Sequence, residues 1–335
     1  MNAAVLHGPG DLRYEQVDVP VPGDGENLVK IHANGICGSD IHFFEAGRLG
    51  PFVVDRPYIP GHEAVGTVVE TDVRVVIEPG VPCRRCDFCK RGLYNLCRDV
   101  RFLSAPPVNG TFGEYIAHPR DFLFPIPDEL SNEEAALAEP VSVGIHACNR
   151  AGLRAGASVV IVGSGPIGLI TMLVARAYGA GSITVVDLEE HRLDKAMELG
   201  ATSSVRAGDV AQTVERVEAT LGDDGAEFVF DASGSSAGCS LSVRLARPAG
   251  VVTVIGWPEY PEFTYPVELI IERELDVRGI NRYRNTYPTA IELMSQRKID
   301  VGTLVSHRFA FEDIVEAFEF ASTHRNETIK VLVSH

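Results

Sequence analysis

The chain has 335 residues, of which 45% are hydrophobic and 23% are charged, and its formal net charge is −16. The length predicts two domains, and the composition is typical of a globular protein with full hydrophobic cores. The acidic balance disfavours nucleic acid and anionic membranes as partners, because both call for basic patches.

The sequence also bears on the cellular compartment. The segment MNAAVLHGPG has no basic region and no long apolar run, so no secretory signal is expected. The longest apolar tract, residues 157–186, is interrupted by glycines, a proline and an arginine, and no membrane span is expected. Seven cysteines, four of them clustered, favour a reducing cytoplasm.

The first part of the chain is predicted to be rich in β structure. Residues 1 to about 130 carry glycines, prolines and short β-branched runs, which predict a compact domain of barrel type. Ser131 and Glu134 have the spacing of a capping box, which predicts a helix start, and Pro140 predicts its break.

The character of the chain changes at residue 157, where apolar strands begin to alternate with helical stretches. This alternation predicts βαβ units around a doubly wound parallel sheet, an α/β fold. The predicted strands lie in SVVIVGSGPIGL, SITVVD, FVFDASG, GVVTVIG and LDVRGI. One face of the first helix is expected to be apolar, through Ile167, Ile170, Val174 and Ala177. Beyond about residue 280 the sequence is mixed, and it ends in a predicted strand, IKVLV.

A dinucleotide fingerprint follows the first of these strands. Gly163, Gly165 and Gly168 form G-x-G-x-x-G between a strand and a helix, and Asp187 ends the next strand. Gly163 is expected to make the tight turn, Gly165 to let a pyrophosphate approach the backbone, and Gly168 to allow close packing of helix on strand. Asp187 would accept hydrogen bonds from the ribose hydroxyls and repel a 2′-phosphate, which predicts NAD rather than NADP. A glycine-rich turn without function is the alternative.

Three residues of the first domain form a candidate catalytic metal site. Cys37 lies in GICGSD, and His62 and Glu63 are adjacent in PGHEAVG. Taken singly, a cysteine is usually a small buried hydrophobe and a histidine an ordinary hydrogen-bonded residue. Together a thiolate, an imidazole and a carboxylate leave a fourth zinc position for water or substrate, which is typical of catalytic zinc.

A second group of cysteines is predicted to bind a structural zinc ion. A closed set of four thiolates leaves no position for a substrate. Disulfides are disfavoured by the Cys-x-x-Cys spacing and the compartment, and an iron–sulfur cluster by the long last gap and by Arg98. The four residues are Cys83, Cys86, Cys89 and Cys97.

The chain resembles the zinc-dependent medium-chain dehydrogenases, and in particular their sorbitol, or polyol, branch. The motifs GICGSDIH, PGHE, the four cysteines, EPVSVGIHA, VGSGPIGL, VVD and RYRNT occur in the order of that family. The resemblance implies a GroES-like catalytic domain, residues 1–148 and 281–335, with the cysteine lobe at about 80–100. It also implies an inserted Rossmann domain, residues 149–280.

The resemblance assigns roles to further residues. Glu139 matches a second acid that reaches the metal directly or through water, and a surface carboxylate at a helix end is the alternative. Ser39 and His42 are the candidate proton relay, and ordinary loop residues are the alternative. Glu139, Phe43, Phe102, Arg282 and Tyr283 are the candidate substrate contacts. For Arg282, a surface charge or a cofactor-phosphate contact is the alternative. The candidate cofactor contacts beyond the glycines and Asp187 are Pro166, Ile167, Arg192, Ile255, Gly256 and Ile280.

The function implied is reversible oxidation of a polyol or another secondary alcohol to a ketone, with NAD and two zinc ions per chain. Alternatives are another secondary alcohol, such as 2,3-butanediol, L-threonine or a sugar-derived alcohol, and a non-catalytic dinucleotide-binding protein. A homo-oligomer, tetramer or dimer, is expected by family analogy. Two departures stand out: Phe43 replaces a family tyrosine near the substrate, and the connection from Glu63 to Glu78 is short.

Overall fold

The computed structural model describes residues 1–221, 225–258 and 262–335. Within these ranges the chain divides into two compact units, Met1–Glu139 with Tyr287–His335, and Pro140–Thr286. The domain limits predicted from the sequence, 148/149 and 280/281, both lie inside the second of these units.

The secondary-structure elements are named in chain order. The strands are β1 (Asn2–Gly8), β2 (Asp11–Gln16), β3 (Glu26–Ile36), β4 (Arg48–Leu49), β5 (Phe52–Val53), β6 (Glu63–Val68), β7 (Val73–Ile77), β8 (Gly80–Val81), β9 (Arg101–Phe102), β10 (Tyr115–Pro119), β11 (Leu123–Pro125), β12 (Ser158–Val162), β13 (Ser182–Asp187), β14 (Ser203–Arg206), β15 (Ala226–Asp231), β16 (Ala246–Val254), β17 (Asp276–Gly279), β18 (Val305–Ala310) and β19 (Lys330–Ser334). The helices are α1 (Gly38–Ala46), α2 (Asp87–Lys90), α3 (Asn132–Ala136), α4 (Ala138–Ala151), α5 (Pro166–Ala177), α6 (Glu190–Glu198), α7 (Val210–Leu221), α8 (Ser236–Leu245), α9 (Val267–Glu272), α10 (Tyr287–Ser295) and α11 (Ile314–Thr323).

The first unit is built on a sheet with the strand order β11-β7-β6-β3-β19-β18, in which β10 also pairs with β3. The long strand β3 pairs with β6 through Gly35 and Glu63, and with β19 through Ile36 and Val331. The end of β3 and the beginnings of β6 and β19 therefore lie side by side. One apolar cluster of this unit packs Phe112 and Phe318 with edge-to-face rings, 5.4 Å between centroids.

The short connection between Glu63 and Glu78 is a tight hairpin. Strands β6 and β7 pair in register from Val65 with Val76 to Val68 with Val73, and residues 69–72 form the loop. Asp72 closes this loop at a φ of +57° and donates its backbone N–H to the carbonyl of Val68 at 2.9 Å. The four residue pairs nearest the loop are consecutive, so the short connection does not interrupt the pairing of β6 with β7.

The second unit is the predicted doubly wound sheet. Six strands in its described residues run in the order β14-β13-β12-β15-β16-β17, and all neighbouring pairs are parallel. The sequence prediction missed β14, whose residues SSVR are polar and few. Helix α5 is buried along most of its surface, from Gly168 to Ala175, rather than on the single face predicted.

The helix start at Ser131 is confirmed, but Pro140 does not break the helix. Ser131 caps α3, and its hydroxyl and the carboxylate of Glu134 form the predicted capping box. The interruption lies at Leu137, and Pro140 sits in the first turn of α4. Proline is tolerated there because the first N–H groups of a helix have no intrahelical acceptor.

Candidate active site

Cys37, His62 and Glu63 converge in the first unit. Cys37 is the N-cap of α1 directly after β3, His62 precedes β6, and Glu63 begins it. One ligand atom from each lies within 4.8 Å of the other two. His62 and Glu63 are buried and Cys37 is half-buried. The donor set and its spacing fit a zinc ion.

Asp40 contacts two members of this cluster, Cys37 and His62. Its Oδ2 accepts the backbone N–H of Cys37 at 3.0 Å, and its Oδ1 accepts the hydroxyl of Ser104 at 2.7 Å. His62 Nδ1 lies 3.5 Å from Oδ1 as an ion-pair contact, without hydrogen-bond geometry. This contact turns Nδ1 toward Asp40, so we expect Nε2 to be the metal ligand.

The charges of Asp40 and His62 depend on each other. Burial alone would raise the pKa of Asp40, but the charge of His62 and the hydrogen bonds above hold that pKa below its ordinary value. Burial alone would lower the pKa of His62, but Asp40 and then Cys37 raise it well above its ordinary value. The surroundings of His62 therefore favour a positive charge at this point, which a bound cation also supplies.

Lys330 is a buried cation beside Glu63. Its Nζ donates to Glu63 Oε1 at 2.8 Å, to Oε2 at 2.7 Å and to the carbonyl of Ile36 at 3.2 Å. Burial works against its charge, but the attraction of Glu63, then of Cys37, raises its pKa.

Two further carboxyls lie in the same unit. Glu139, in the first turn of α4, is 6% exposed, so it is not a surface carboxylate. The negative charge of Glu139 helps to raise the pKa of both Lys330 and Glu78. Glu78 is buried and accepts the hydroxyl of Tyr94 at 2.7 Å. Burial, together with the charge of Glu139, raises the pKa of Glu78 to about 7.

The other candidates of this unit lie on α1 and β9. Ser39 and His42 are half-buried in α1, within two turns of Cys37. Phe43 is 3% exposed and belongs to the hydrophobic core, where its ring packs edge-to-face on Tyr58. The ring of Phe102 lies 5.7 Å from that of His62.

The four cysteines of the lobe form one compact group. Their sulfur atoms lie within 4.8 Å of one another, and all seven cysteines of the chain are free thiols. Backbone N–H groups point at the sulfurs: that of Cys83 at Cys97 Sγ, 3.3 Å, and that of Cys86 at Cys83 Sγ, 3.4 Å. Hydrogen bonds from the backbone of Arg85 and Cys86 lower the pKa of Cys83 to about 6. The group is compatible with a structural zinc ion.

The three glycines of the fingerprint meet three different steric conditions. Gly163 has a φ of +90°, and a Cβ there would lie 2.9 Å from the backbone of Ser233. A Cβ on Gly168 would lie 1.8 Å from the carbonyl oxygen of Gly163. A Cβ on Gly165, the N-cap of α5, would meet nothing within 4 Å. The open side of Gly165 at a helix N-terminus fits the pyrophosphate of a dinucleotide.

Asp187 lies beside this turn. It ends β13, and its carboxylate accepts the backbone N–H of Ser164 at 2.5 Å and that of Glu189 at 3.0 Å. The other cofactor candidates belong to the same unit: Pro166 and Ile167 begin α5, Arg192 lies in α6, and Ile255, Gly256 and Ile280 follow β16 and β17.

Arg282 and Tyr283 lie near the end of the second unit. Arg282 has a φ of +54°, a left-handed conformation that is uncommon for this residue type. Burial lowers the pKa of its guanidinium, so it is not a fully solvated surface charge. Tyr283 is 3% exposed.

Sequence reasoning missed Asp40, Ser104, Glu78 and Lys330. Asp40 stands three residues after Cys37, at the position from which a carboxylate reaches back to a helix cap. Lys330 is the charged residue in the otherwise apolar run IKVLV. A lone charge in a predicted core strand was therefore the available signal. The sequence around Ser104 and Glu78 contains no comparable signal.

The fold and these clusters define a class of protein. Residues 23–128 match the alcohol dehydrogenase GroES-like domain, and residues 166–296 match the zinc-binding dehydrogenase domain. The chain belongs to the zinc-binding dehydrogenase family. The predicted GroES-like and Rossmann architecture is thereby confirmed.

Individual relatives agree with this assignment. Sorbitol dehydrogenase of Bacillus subtilis is 41% identical and covers 99% of this chain and 97% of its own. The structure of an Escherichia coli oxidoreductase of unknown specificity is 34% identical with a TM-score of 0.94, covering 99% and 98%. A short chain alcohol dehydrogenase from E. coli, complexed with NADH, is 26% identical with a TM-score of 0.91, covering 100% and 99%. The chain is thus an oxidoreductase that uses zinc and a nicotinamide cofactor. Each helix in the described ranges is too short or too polar to cross a membrane.

Proposed function

We propose that this protein catalyses the reversible oxidation of a polyol or another secondary alcohol to the ketone, with NAD as hydride acceptor. The observation that carries the proposal is the convergence of Cys37, His62 and Glu63 within 4.8 Å in a largely buried site. The similarity to a sorbitol dehydrogenase across nearly the whole chain supports a polyol as substrate.

The residues of the site have separate tasks. Zinc, when bound, acts as a Lewis acid on the substrate oxygen, and the nicotinamide ring accepts the hydride. Asp40 holds His62 in the orientation that presents one ring nitrogen to the metal. Ser39 takes the substrate's proton and His42 passes it toward solvent. Glu139 is a further acid beside the metal, either as a ligand or through a water molecule.

The substrate and the cofactor are held by other residues. Phe102, beside His62, lines the substrate site, and Arg282 and Tyr283 bind hydroxyl groups of the substrate. The open face of Gly165 receives the pyrophosphate, and Asp187 receives the ribose hydroxyls and repels a 2′-phosphate. Asp187 is therefore the reason for NAD rather than NADP.

A second zinc ion is proposed for the cysteine lobe. Four thiols in one compact group, with backbone N–H groups directed at their sulfurs, form a closed site that leaves no room for a substrate. We expect this ion to stabilise the lobe. Cysteines stay free of disulfides in a reducing compartment, and the four free cysteines of the lobe therefore support the cytoplasm.

Phe43 bears on the identity of the alcohol. Phe43 has no hydroxyl and its ring lies in the core, so the substrate contact made by the family tyrosine is missing. This favours testing other secondary alcohols beside sorbitol and xylitol. A turnover screen with galactitol, 2,3-butanediol and L-threonine, each with NAD, distinguishes them.

The test combines metal content, turnover and a matched cysteine control. Cys37→Ala is expected to lose one zinc ion per chain and all detectable turnover. Cys148 is a buried cysteine of α4 outside both clusters, and Cys148→Ala is expected to keep its zinc content and its turnover. Full turnover in Cys37→Ala would refute the zinc role. Binding of NADH without turnover of any alcohol would favour a non-catalytic dinucleotide-binding protein.

A homo-oligomer is proposed through the edge of the parallel sheet. Strand β17 has a neighbour on one side in the sheet order, and Val277 on it is 41% exposed. Val267 and Ile271 of α9 are 58% and 73% exposed. A second copy of the chain that adds its own β17 would cover this edge and these apolar groups. Light scattering measures the molar mass of wild type and of Val277→Arg, and the variant is expected to have the lower mass. An unchanged mass would exclude β17 as the contact between two copies.

A further inference from the structure

Lys330 has no role in the chemistry described above, although it is almost fully buried. Its side chain begins β19 and is 3% exposed. An ammonium group is costly to bury unless every N–H has a partner. Here the three donors meet three acceptors, namely both oxygens of Glu63 and the carbonyl of Ile36. The position of Nζ is therefore fixed.

These contacts join the two segments that supply the metal ligands. Ile36 is the residue before Cys37, and Glu63 is the residue after His62. A single ammonium group from the last strand thus ties the end of β3 to the beginning of β6. Glu63 also lies very close to β3. A Cβ added to Gly35 would be only 2.0 Å from Glu63 Oε2. The carboxylate of Glu63 therefore lies close to Gly35 and is hydrogen-bonded to Lys330.

We propose that Lys330 is a positioning residue that holds the Cys37 and Glu63 segments at the separation needed to bind the metal. The inference rests on the proposed function, since it takes the ion to be bound by Cys37, His62 and Glu63. Hydrogen-bond partners of metal ligands typically contribute 10- to 100-fold to metal affinity. Lys330 differs from the usual partner because it fixes two ligand segments rather than one side chain.

The experiment measures zinc affinity at each site by competition with a chelator. Lys330→Met is expected to weaken zinc binding at the Cys37 site about 10- to 100-fold. The cysteine lobe lies in the same chain and serves as an internal reference, with unchanged affinity. Lys298→Met, which removes an exposed lysine of the same unit, is the control for net charge. With Co²⁺ in place of zinc, Lys330→Met is also expected to shift the visible d–d absorption of the Cys37 site.

A double-mutant cycle tests whether Lys330 acts through Glu63. Glu63→Gln removes the charge that Lys330 pairs with, and Lys330→Met in that background leaves no unpaired buried carboxylate. This double variant keeps the test valid if Lys330→Met alone does not fold. The proposal expects the two changes to be non-additive, with the double variant binding zinc nearly as Glu63→Gln does.

The outcomes are distinct from those of the proposed function. If wild-type protein binds zinc at the cysteine lobe alone, the proposed function fails. If wild type binds both ions and Lys330→Met does so with equal affinity, the positioning role is overturned. Fully additive losses, or equal losses at both metal sites, also overturn it, because they indicate a general effect on stability.

Discussion

Two single-atom changes in the glycine turn should separate cofactor binding from folding. Gly165→Ala and Gly168→Ala each add one methyl group within the same G-x-G-x-x-G segment. At Gly165 the added Cβ meets no atom within 4 Å, and the backbone φ of −64° suits alanine. At Gly168 it falls 1.8 Å from the carbonyl oxygen of Gly163, a backbone atom that cannot turn away.

The expected magnitudes follow from these distances. Gly168→Ala forces β12 and α5 apart, and overpacking of this kind costs about 3 kcal/mol of folding free energy. Gly165→Ala should change stability by less than about 1 kcal/mol, because a weaker helix cap is offset by a less flexible unfolded chain. The methyl group would, however, occupy the place where the pyrophosphate meets the helix N-terminus. Loss of one charge-assisted hydrogen bond, about 1.5–3 kcal/mol, weakens NADH binding about 10- to 100-fold.

The assay pairs chemical denaturation with titration of NADH followed by its fluorescence. Gly165→Ala is expected to keep the wild-type denaturation midpoint and lose affinity, whereas Gly168→Ala is expected to lower the midpoint. Unchanged NADH affinity in Gly165→Ala would show that the pyrophosphate does not lie on this turn. A Gly168→Ala protein as stable as wild type would show that the strand and helix are not in close contact.

Three further predictions concern charge and metal. Asp187→Ala should raise the KM for NAD and permit turnover with NADP, because the carboxylate that repels a 2′-phosphate is gone; steady-state kinetics with both cofactors measure this. Cys97→Ser should remove one zinc ion and lower the thermal midpoint while the Cys37 site keeps its metal, as zinc content and calorimetry would show. Glu78 has a pKa raised to about 7 in the folded protein, above its ordinary value of 4.5. The folded state therefore binds this proton more tightly than the unfolded chain does, and wild-type stability decreases as the pH rises from about 4.5 to about 7. Glu78→Gln should therefore gain about 3 kcal/mol relative to wild type across that range, and a pH-independent difference in urea denaturation would contradict it.

The parallel sheet could be predicted because its strands are buried on both faces. Runs such as SVVIV and SITVVD are nearly continuous in apolar residues, and the glycine turn marks where the first strand ends. Strand β14 was missed because an edge strand of four residues carries little apolar signal. The helix break was predicted at Pro140 but lies at Leu137, because a proline is compatible with the start of a helix as well as with its end.

The ligands of the candidate metal site could be predicted, but not their surroundings. Cysteine and the His-Glu pair have recognisable chemistry wherever they stand in a chain. Ser104 donates its hydroxyl to Asp40 across 64 positions of the chain, and Lys330 reaches Glu63 because β3, β6 and β19 are neighbours in the sheet. Lys330 is 294 residues from its partner Ile36, and no local pattern reports a contact of that range. Strand pairing, rather than motif, determines which charge lies against which ligand.

The balance of buried charge explains why this arrangement suits a divalent cation. Asp40, Glu63, Glu78 and Glu139 are buried acids of the first unit, and Cys37 adds a thiol. The buried basic residues of this unit are Lys330, His62 and His118. Burial lowers the pKa of His118 to about 4, so this imidazole adds no positive charge near neutral pH. Burying more acidic than basic groups is costly in a low dielectric, and the acids respond either by binding protons or by pairing with a cation. Glu78 takes the first course, with its raised pKa, while Glu63 takes the second, through Lys330. An ion of charge +2 beside Cys37 and Glu63 offsets two acidic groups at once, which Lys330 alone does not do.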